Sequence, residues 1–144
     1  MAKQINFDMD GTLADLYGVE GWLEDLRAER TRPYLVAKPL VNMSVLARTL
    51  HKLQANGWTI TIISWTSKNG TAEYNECVKV AKLQWLHKHL PSVKWNEINI
   101  VPYETPKHEL GEGIIFDDDK RVREAWGEGA YDVEALLQDL KGLI

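Results

Sequence analysis

Lys3-Gln-Ile-Asn-Phe7-Asp8-Met9-Asp10-Gly11-Thr12-Leu13 is the stretch from which the rest of the chain can be read. Residues 3–7 alternate polar and apolar side chains, the period of a short strand. Asp8 and Asp10 stand where that strand ends. Two carboxylates two residues apart turn toward one site only if the chain leaves the pleat. Gly11, which lacks a Cβ, permits the tight turn this needs. One carboxylate can then attack an electrophile while the other moves a proton to or from the leaving group. A bare Asp-x-Asp is most often a hydrated turn. The hydrophobic strand before this pair, and Gly-Thr after it, favour chemistry over hydration.

Outward from that strand, the pattern repeats. Residues 58–64 (Trp-Thr-Ile-Thr-Ile-Ile-Ser) are rich in β-branched side chains and predict a second strand. Residues 98–101 and 113–116 predict a third and a fourth, and residues 130–131 a weak fifth. Helices fall between them. Asn42 caps one running to about Asn56, with Met43, Leu46, Ala47, Leu50 and Leu53 at helical spacing and Gly57 closing it. A second spans residues 72–90, with Tyr74, Cys77, Val78, Ala81, Trp85 and Leu86 as its buried face and Pro91 as its stop. Others are expected over 120–127 and 132–140. Trp22, Leu23 and Leu26 suggest a short helix that Pro33 and Pro39 end. Strands alternating with helices predict an α/β fold, a parallel sheet with helices on both faces. Ligands of such sheets sit beyond the carboxyl ends of the strands.

The polar residues collect at those ends. Asp8 and Asp10 follow the first strand and Ser64 the second. Lys107 lies in the loop after the third, and Asp117-Asp118-Asp119 follow the fourth. Five carboxylates around one crevice repel each other and raise each other's pKa values. A hard divalent cation relieves that repulsion. Oxygen ligands with retained water suit Mg²⁺, and such sites also bind phosphate. Asp119 is expected to do no more than cap the next helix. A hydroxyl at Ser64, with Thr66 and Ser67 as rivals, can donate to a phosphoryl oxygen. Lys107, with Lys68 and Lys120 competing, supplies the positive charge for a nucleophile and a phosphate together.

This ordered set, Asp8-x-Asp10-Gly11-Thr12, Ser64, Lys107 and Phe116-Asp117-Asp118, resembles the haloacid dehalogenase superfamily of phosphotransferases over about positions 4–126. The resemblance implies a Rossmann-like sheet of strand order 5-4-1-2-3. It implies a nucleophilic Asp8 that becomes an aspartyl-phosphate, and Asp10 as general acid and then base. It implies Mg²⁺ held by the Asp8 carboxylate, the Asp10 carbonyl and the Asp117 or Asp118 carboxylate. Phe116 ending the strand favours Asp117, with Asp118 second. Ser64 and Lys107 would bind the phosphoryl group, with Gly11 and Thr12 beside them. Members that cleave carbon–halogen bonds lack the second aspartate, so Asp10 favours a phosphatase.

Substrate choice in this superfamily usually comes from an inserted cap, and neither gap here holds a full one. The expectation is one three-layer domain over residues 1–144 with a small lid at about 13–41. The site is expected to be open, or covered by a small lid around Tyr17–Tyr34 or by a partner subunit, which is compatible with a homo-oligomer. Trp22, Tyr34, Arg27, Arg30 and Arg32 of the lid, with Trp65, can stack a base and hold a phosphate. The alternative is a lid helix packed on the body with its arginines in solvent. The Ser64-Trp65 pair and Asp117-Asp118 are similar to deoxyribonucleotidase-like members, which points to a nucleoside monophosphate. A nucleic-acid end, a sugar phosphate or a phosphoprotein also fits an open site.

Composition sets the outer bounds. At 144 residues the chain fits one domain, with 44% hydrophobic and 26% charged side chains. Its net charge of −4 argues against extended nucleic-acid binding. Cys77 has no internal partner and is expected to be buried filler. The histidines show no zinc-ligand spacing. No signal peptide or membrane span is read, so a cytoplasmic protein acting on a small phosphorylated substrate is expected. Two rivals are a receiver domain and a non-catalytic phosphate-binding or assembly module. A receiver places its acidic pair first and its phosphoacceptor after the third strand. The order here differs.

Overall fold

The computed structural model describes residues 2–144. Five strands build one parallel sheet: β1 (Gln4–Phe7), β2 (Thr59–Trp65), β3 (Glu97–Val101), β4 (Ile114–Phe116) and β5 (Ala130–Tyr131). Their order across the sheet is β5-β4-β1-β2-β3, the expected 5-4-1-2-3. The first strand is central. Ile5 and Phe7 are fully buried, and Asn6 is buried too. A polar residue in that place needs partners, and Asn6 has them. Its amide donates to the carbonyls of Glu112 and Ile114, both at 2.9 Å, and its carbonyl accepts from Thr61. The polar–apolar alternation of residues 3–7 thus lies between two covered faces.

The helices are α1 (Trp22–Arg27), α2 (Arg32–Val36), α3 (Met43–Ala55), α4 (Ala72–His89), α5 (Lys120–Trp126) and α6 (Leu136–Lys141). Asn42 caps α3 by accepting from the Val45 amide, and Thr71 caps α4 by accepting from that of Tyr74. Leu46, Leu50 and Leu53 of α3 are fully buried against β1 and β2, with Leu136 and Leu140 of α6 in the same cluster. Each such leucine is worth about 1.5–3 kcal/mol of burial. A second cluster joins Leu16 and Tyr34 to Tyr74, Val78 and Ala81 of α4. It fastens residues 13–41 over one edge of the sheet's carboxyl end. A two-residue antiparallel ribbon, Ala14–Asp15 with Lys38–Pro39, closes the base of that segment. The Trp85 indole donates to the Ala37 carbonyl at 2.8 Å beside it.

Three sequence expectations are corrected. Pro33 does not end a helix but opens α2, where the missing N–H is no loss. Cys77 is exposed, because the buried stripe of α4 runs through residues 74, 78, 81, 82, 85 and 86 and passes it by. Lys82 belongs to that stripe instead. The last helix begins at Leu136, four residues later than expected. Among the described residues, no helix is long and apolar enough to cross a membrane.

Candidate active site

The turn after β1 is built around one carbonyl. Met9 O accepts the amides of Thr12, Leu13 and Ala14 at 2.9–3.1 Å, and the Gly11 amide donates to Ala14 O at 2.8 Å. Gly11 adopts φ +80°, and a Cβ there would collide with the Asp118 carboxylate. Glycine is therefore required twice over, by backbone and by contact. Gly11→Ala is expected to cost about 1–2 kcal/mol of backbone strain and to push Asp118 out of place. Urea denaturation and a Mg²⁺ titration check it; unchanged metal binding would contradict it.

That turn delivers Asp8 into a buried ionic cluster. Lys107 Nζ, carried on a single 3-10 turn and almost fully buried, donates to Asp8 Oδ1 at 3.0 Å and to Asp117 Oδ2 at 2.7 Å. Thr12 Oγ1 donates to Asp8 Oδ2 at 3.1 Å and lies 3.5 Å from Asp118 Oδ1. The Asp119 amide donates to Asp117 Oδ1 at 2.9 Å, while the Asp119 carboxylate caps α5 and pairs with Arg121. Asp119 therefore does what was expected of it. Oxygens of Asp8, Asp117 and Asp118 all lie within 4.8 Å of one another. Burial first, then the Asp8 charge, pushes Asp117 up to about 7. Burial, then Asp8 alongside, pushes Asp118 up to about 8. Burial opposes the charge on Lys107, but Asp8 and Asp117 outweigh it and hold its pKa above the ordinary lysine value.

Asp10 lies apart from this cluster, on a second cation that the sequence reading missed. Lys82 of α4 is 1% exposed. Its ammonium donates to Asp10 Oδ2 at 2.8 Å, to Ser64 Oγ at 2.7 Å and to Trp65 O at 2.8 Å. Burial raises the Asp10 pKa, and Lys82 pulls it back. A signal existed: Lys82 stands four residues after Val78 and eight after Tyr74, on the apolar stripe of a long helix. A lysine in that register is buried, and a buried lysine needs a carboxylate.

The carboxylates form the floor of a cleft of about 740 Å³. Trp22, Trp65 and Tyr34 line it, with Tyr17 and Tyr103. The remaining candidate residues are placed as follows. Ser64 is fully buried beneath the floor and held by Lys82, whereas Thr66 and Ser67 line the cleft. Arg30 is exposed and pairs with Asp25, and Arg27 lines the cleft instead. The Gly11 and Thr12 amides are bonded inside the turn, and the Thr12 hydroxyl is bonded to Asp8.

The donor set suits a hard cation. Three carboxylates converge, oxygen is the only ligand element, and burial first, then the neighbouring Asp8, raises the pKa of two of the three. A divalent ion there would relieve the repulsion that burial creates.

No protein-family model matches the chain, and no curated protein matches it in sequence. Solved structures do match. One is D,D-heptose 1,7-bisphosphate phosphatase from Burkholderia thailandensis, with a TM-score of 0.60 over 97% of each chain at 13% identity. The chain shares the fold of that phosphatase.

Proposed function

We propose that the protein is a phosphomonoester hydrolase acting through an aspartyl-phosphate on Asp8, with Mg²⁺ as its metal and a nucleoside monophosphate as substrate. The observation that carries this reading is the separation of two carboxylates at one strand end. Asp8 sits with Lys107 and Thr12; Asp10, two residues on, sits with Lys82. Each has its own cation, so one can act as nucleophile while the other handles protons.

Asp8 attacks phosphorus and the ester oxygen leaves. Asp10 gives that oxygen a proton, so an alcohol departs rather than an alkoxide. A water molecule then attacks the aspartyl-phosphate and gives its proton to Asp10, releasing phosphate and restoring the Asp8 carboxylate and the protonated Asp10. Lys107 offsets negative charge on Asp8 and on the phosphoryl group. Thr66 and Ser67, not Ser64, supply hydroxyls on the wall of the cleft. Mg²⁺, held by Asp8, Asp117 and Asp118 with the Asp10 carbonyl, would neutralise phosphoryl oxygens when bound. The aromatic walls, Tyr17 against Trp22 at 5.0 Å and Trp65 against Tyr103 at 5.1 Å, favour a planar group such as a nucleobase.

The test is phosphate release from a panel of esters, with Mg²⁺ and with chelator. The panel holds nucleoside 5′- and 3′-monophosphates, sugar phosphates, a phosphopeptide and a 5′-phosphorylated oligonucleotide. Mg²⁺-dependent release, best on a nucleoside monophosphate, is expected. Preference for a sugar phosphate would remove the nucleotide assignment and keep the chemistry. No release from folded, Mg²⁺-binding protein would favour a non-catalytic phosphate-binding or assembly module.

The metal reading predicts a pH dependence. Burial, then the Asp8 carboxylate, pushes Asp117 up to about 7 and Asp118 up to about 8, above the unfolded carboxylate range. Raised carboxylates favour the fold at low pH, and that advantage is lost as pH climbs from about 4 toward 8. A cation binds their ionised forms and must displace protons at lower pH. The Mg²⁺-induced rise in Tm is therefore expected to be larger near pH 8 than near pH 6. Thermal scans at both pH values check it; equal shifts would contradict it.

A further inference from the structure

Lys82 is buried with all three ammonium donors engaged, by Asp10 Oδ2, Ser64 Oγ and Trp65 O, and with the Tyr34 ring 5.3 Å away as a lid over the charge. The expected motif gives this residue no part: Lys107 already fills the cation position beside Asp8. Methionine or leucine would pack on the α4 stripe without desolvating a charge, and a buried ammonium costs several kcal/mol to strip of water. A bland packing role is therefore a poor account of a lysine there. What the ammonium does obtain is a fixed carboxylate. It holds Asp10 by one oxygen, Oδ2, and ties that oxygen through a rigid helix to the end of β2.

We propose that Lys82 is a positioning residue for Asp10: it fixes the Asp10 carboxylate in the one orientation from which its other oxygen, Oδ1, reaches the leaving-group oxygen of a phosphate ester. This rests on the phosphatase reading above. Lys82 does not itself line the cleft and bonds none of Asp8, Asp117 and Asp118; of the two carboxylates assigned to the reaction it holds Asp10. Ser64 serves the same arrangement from below. Buried and turned to Lys82, it holds the ammonium rather than the substrate.

Leaving-group dependence separates positioning from packing. An alkyl phosphate needs a proton delivered to its departing oxygen. p-Nitrophenyl phosphate does not, because its phenolate leaves as an anion. The kcat/KM of wild type, Lys82→Met, Asp10→Asn and the double variant would be measured on a nucleoside 5′-monophosphate and on p-nitrophenyl phosphate. Lys82→Met is expected to lower the alkyl-ester value about 10²-fold or more and the aryl value less than about tenfold, the pattern of a lost general acid. Asp10→Asn should show the same pattern, and the double variant no further loss. Equal losses on both esters, or losses that multiply in the double variant, would overturn the assignment. If Lys82→Met fails to fold, Lys82→Gln, which keeps a polar donor on a shorter side chain, is read by the same ratio. Its loss should again fall on the alkyl ester. A wild type that hydrolyses neither ester would overturn the phosphatase reading itself. That outcome differs from an active wild type whose Lys82 variants lose both esters alike.

Discussion

Replacing Asp8 with asparagine is expected to abolish phosphate release, by about 10⁴-fold or more, the scale seen when a covalent nucleophile is removed. The carboxamide keeps the shape of the carboxylate but cannot form the acyl-phosphate. The fold should survive. Asp8 is one of three converging carboxylates, and its charge helps to raise Asp117 and Asp118. Removing that charge relieves repulsion, so metal-free Asp8→Asn should melt no lower than wild type. Loss of turnover together with an undiminished Tm is the expected pair. A variant that keeps a tenth of wild-type activity would remove Asp8 from the chemistry.

Lys107→Met carries the largest expected effect on stability. Lys107 is buried between Asp8 and Asp117, within 3.0 Å of both. Its removal strands two buried carboxylates beside a third. Breaking a buried pair from one side costs about 3–5 kcal/mol, against a total stability of roughly 5–15 kcal/mol for a domain. The deficit should be greatest in chelator, where nothing else offsets the charge, and should shrink with Mg²⁺. Turnover should fall by about 10²–10³ with the metal present, through loss of charge stabilisation at the phosphoryl group. Urea denaturation with and without Mg²⁺ reads the first effect, and a saturating rate assay the second. Equal stability of wild type and variant in chelator would show that the cluster is not held by Lys107.

The parts of the molecule legible in sequence are those that local chemistry decides. Asn42 and Thr71 cap helices because their side chains reach amides three residues on. The Trp-Thr-Ile-Thr-Ile-Ile-Ser run makes a strand because β-branched residues suit a covered sheet. Asp8, Lys107, Asp117 and Asp118 meet, with Asp10 in the same cleft, because a parallel sheet gathers its strand ends. Less legible were features fixed by contacts distant in sequence. Ser64 and Thr66 are two residues apart, and which hydroxyl lines the cleft depends on where Lys82 arrives from α4. Arg27 and Arg30 lie on one short segment, and Asp25 captures Arg30. Lys82 was overlooked for a different reason: its apolar neighbours Val78, Ala81, Trp85 and Leu86 made the stripe read as packing. Its burial was visible in the spacing, but its partner, Asp10, lies 72 residues away.

The central claim is a phosphoryl group on Asp8, and trapping it tests that claim most directly. Protein mixed with Mg²⁺ and its best substrate would be acid-quenched during turnover, treated with borohydride and digested. The peptide containing Asp8-Met9-Asp10 would then be analysed by mass spectrometry. Borohydride reduces an aspartyl-phosphate to homoserine and leaves a free aspartate unchanged. The account predicts homoserine at position 8, none at position 10, and none at either when substrate is omitted. Phosphate released at full rate with Asp8 unmodified throughout turnover would contradict it and point to direct attack by water.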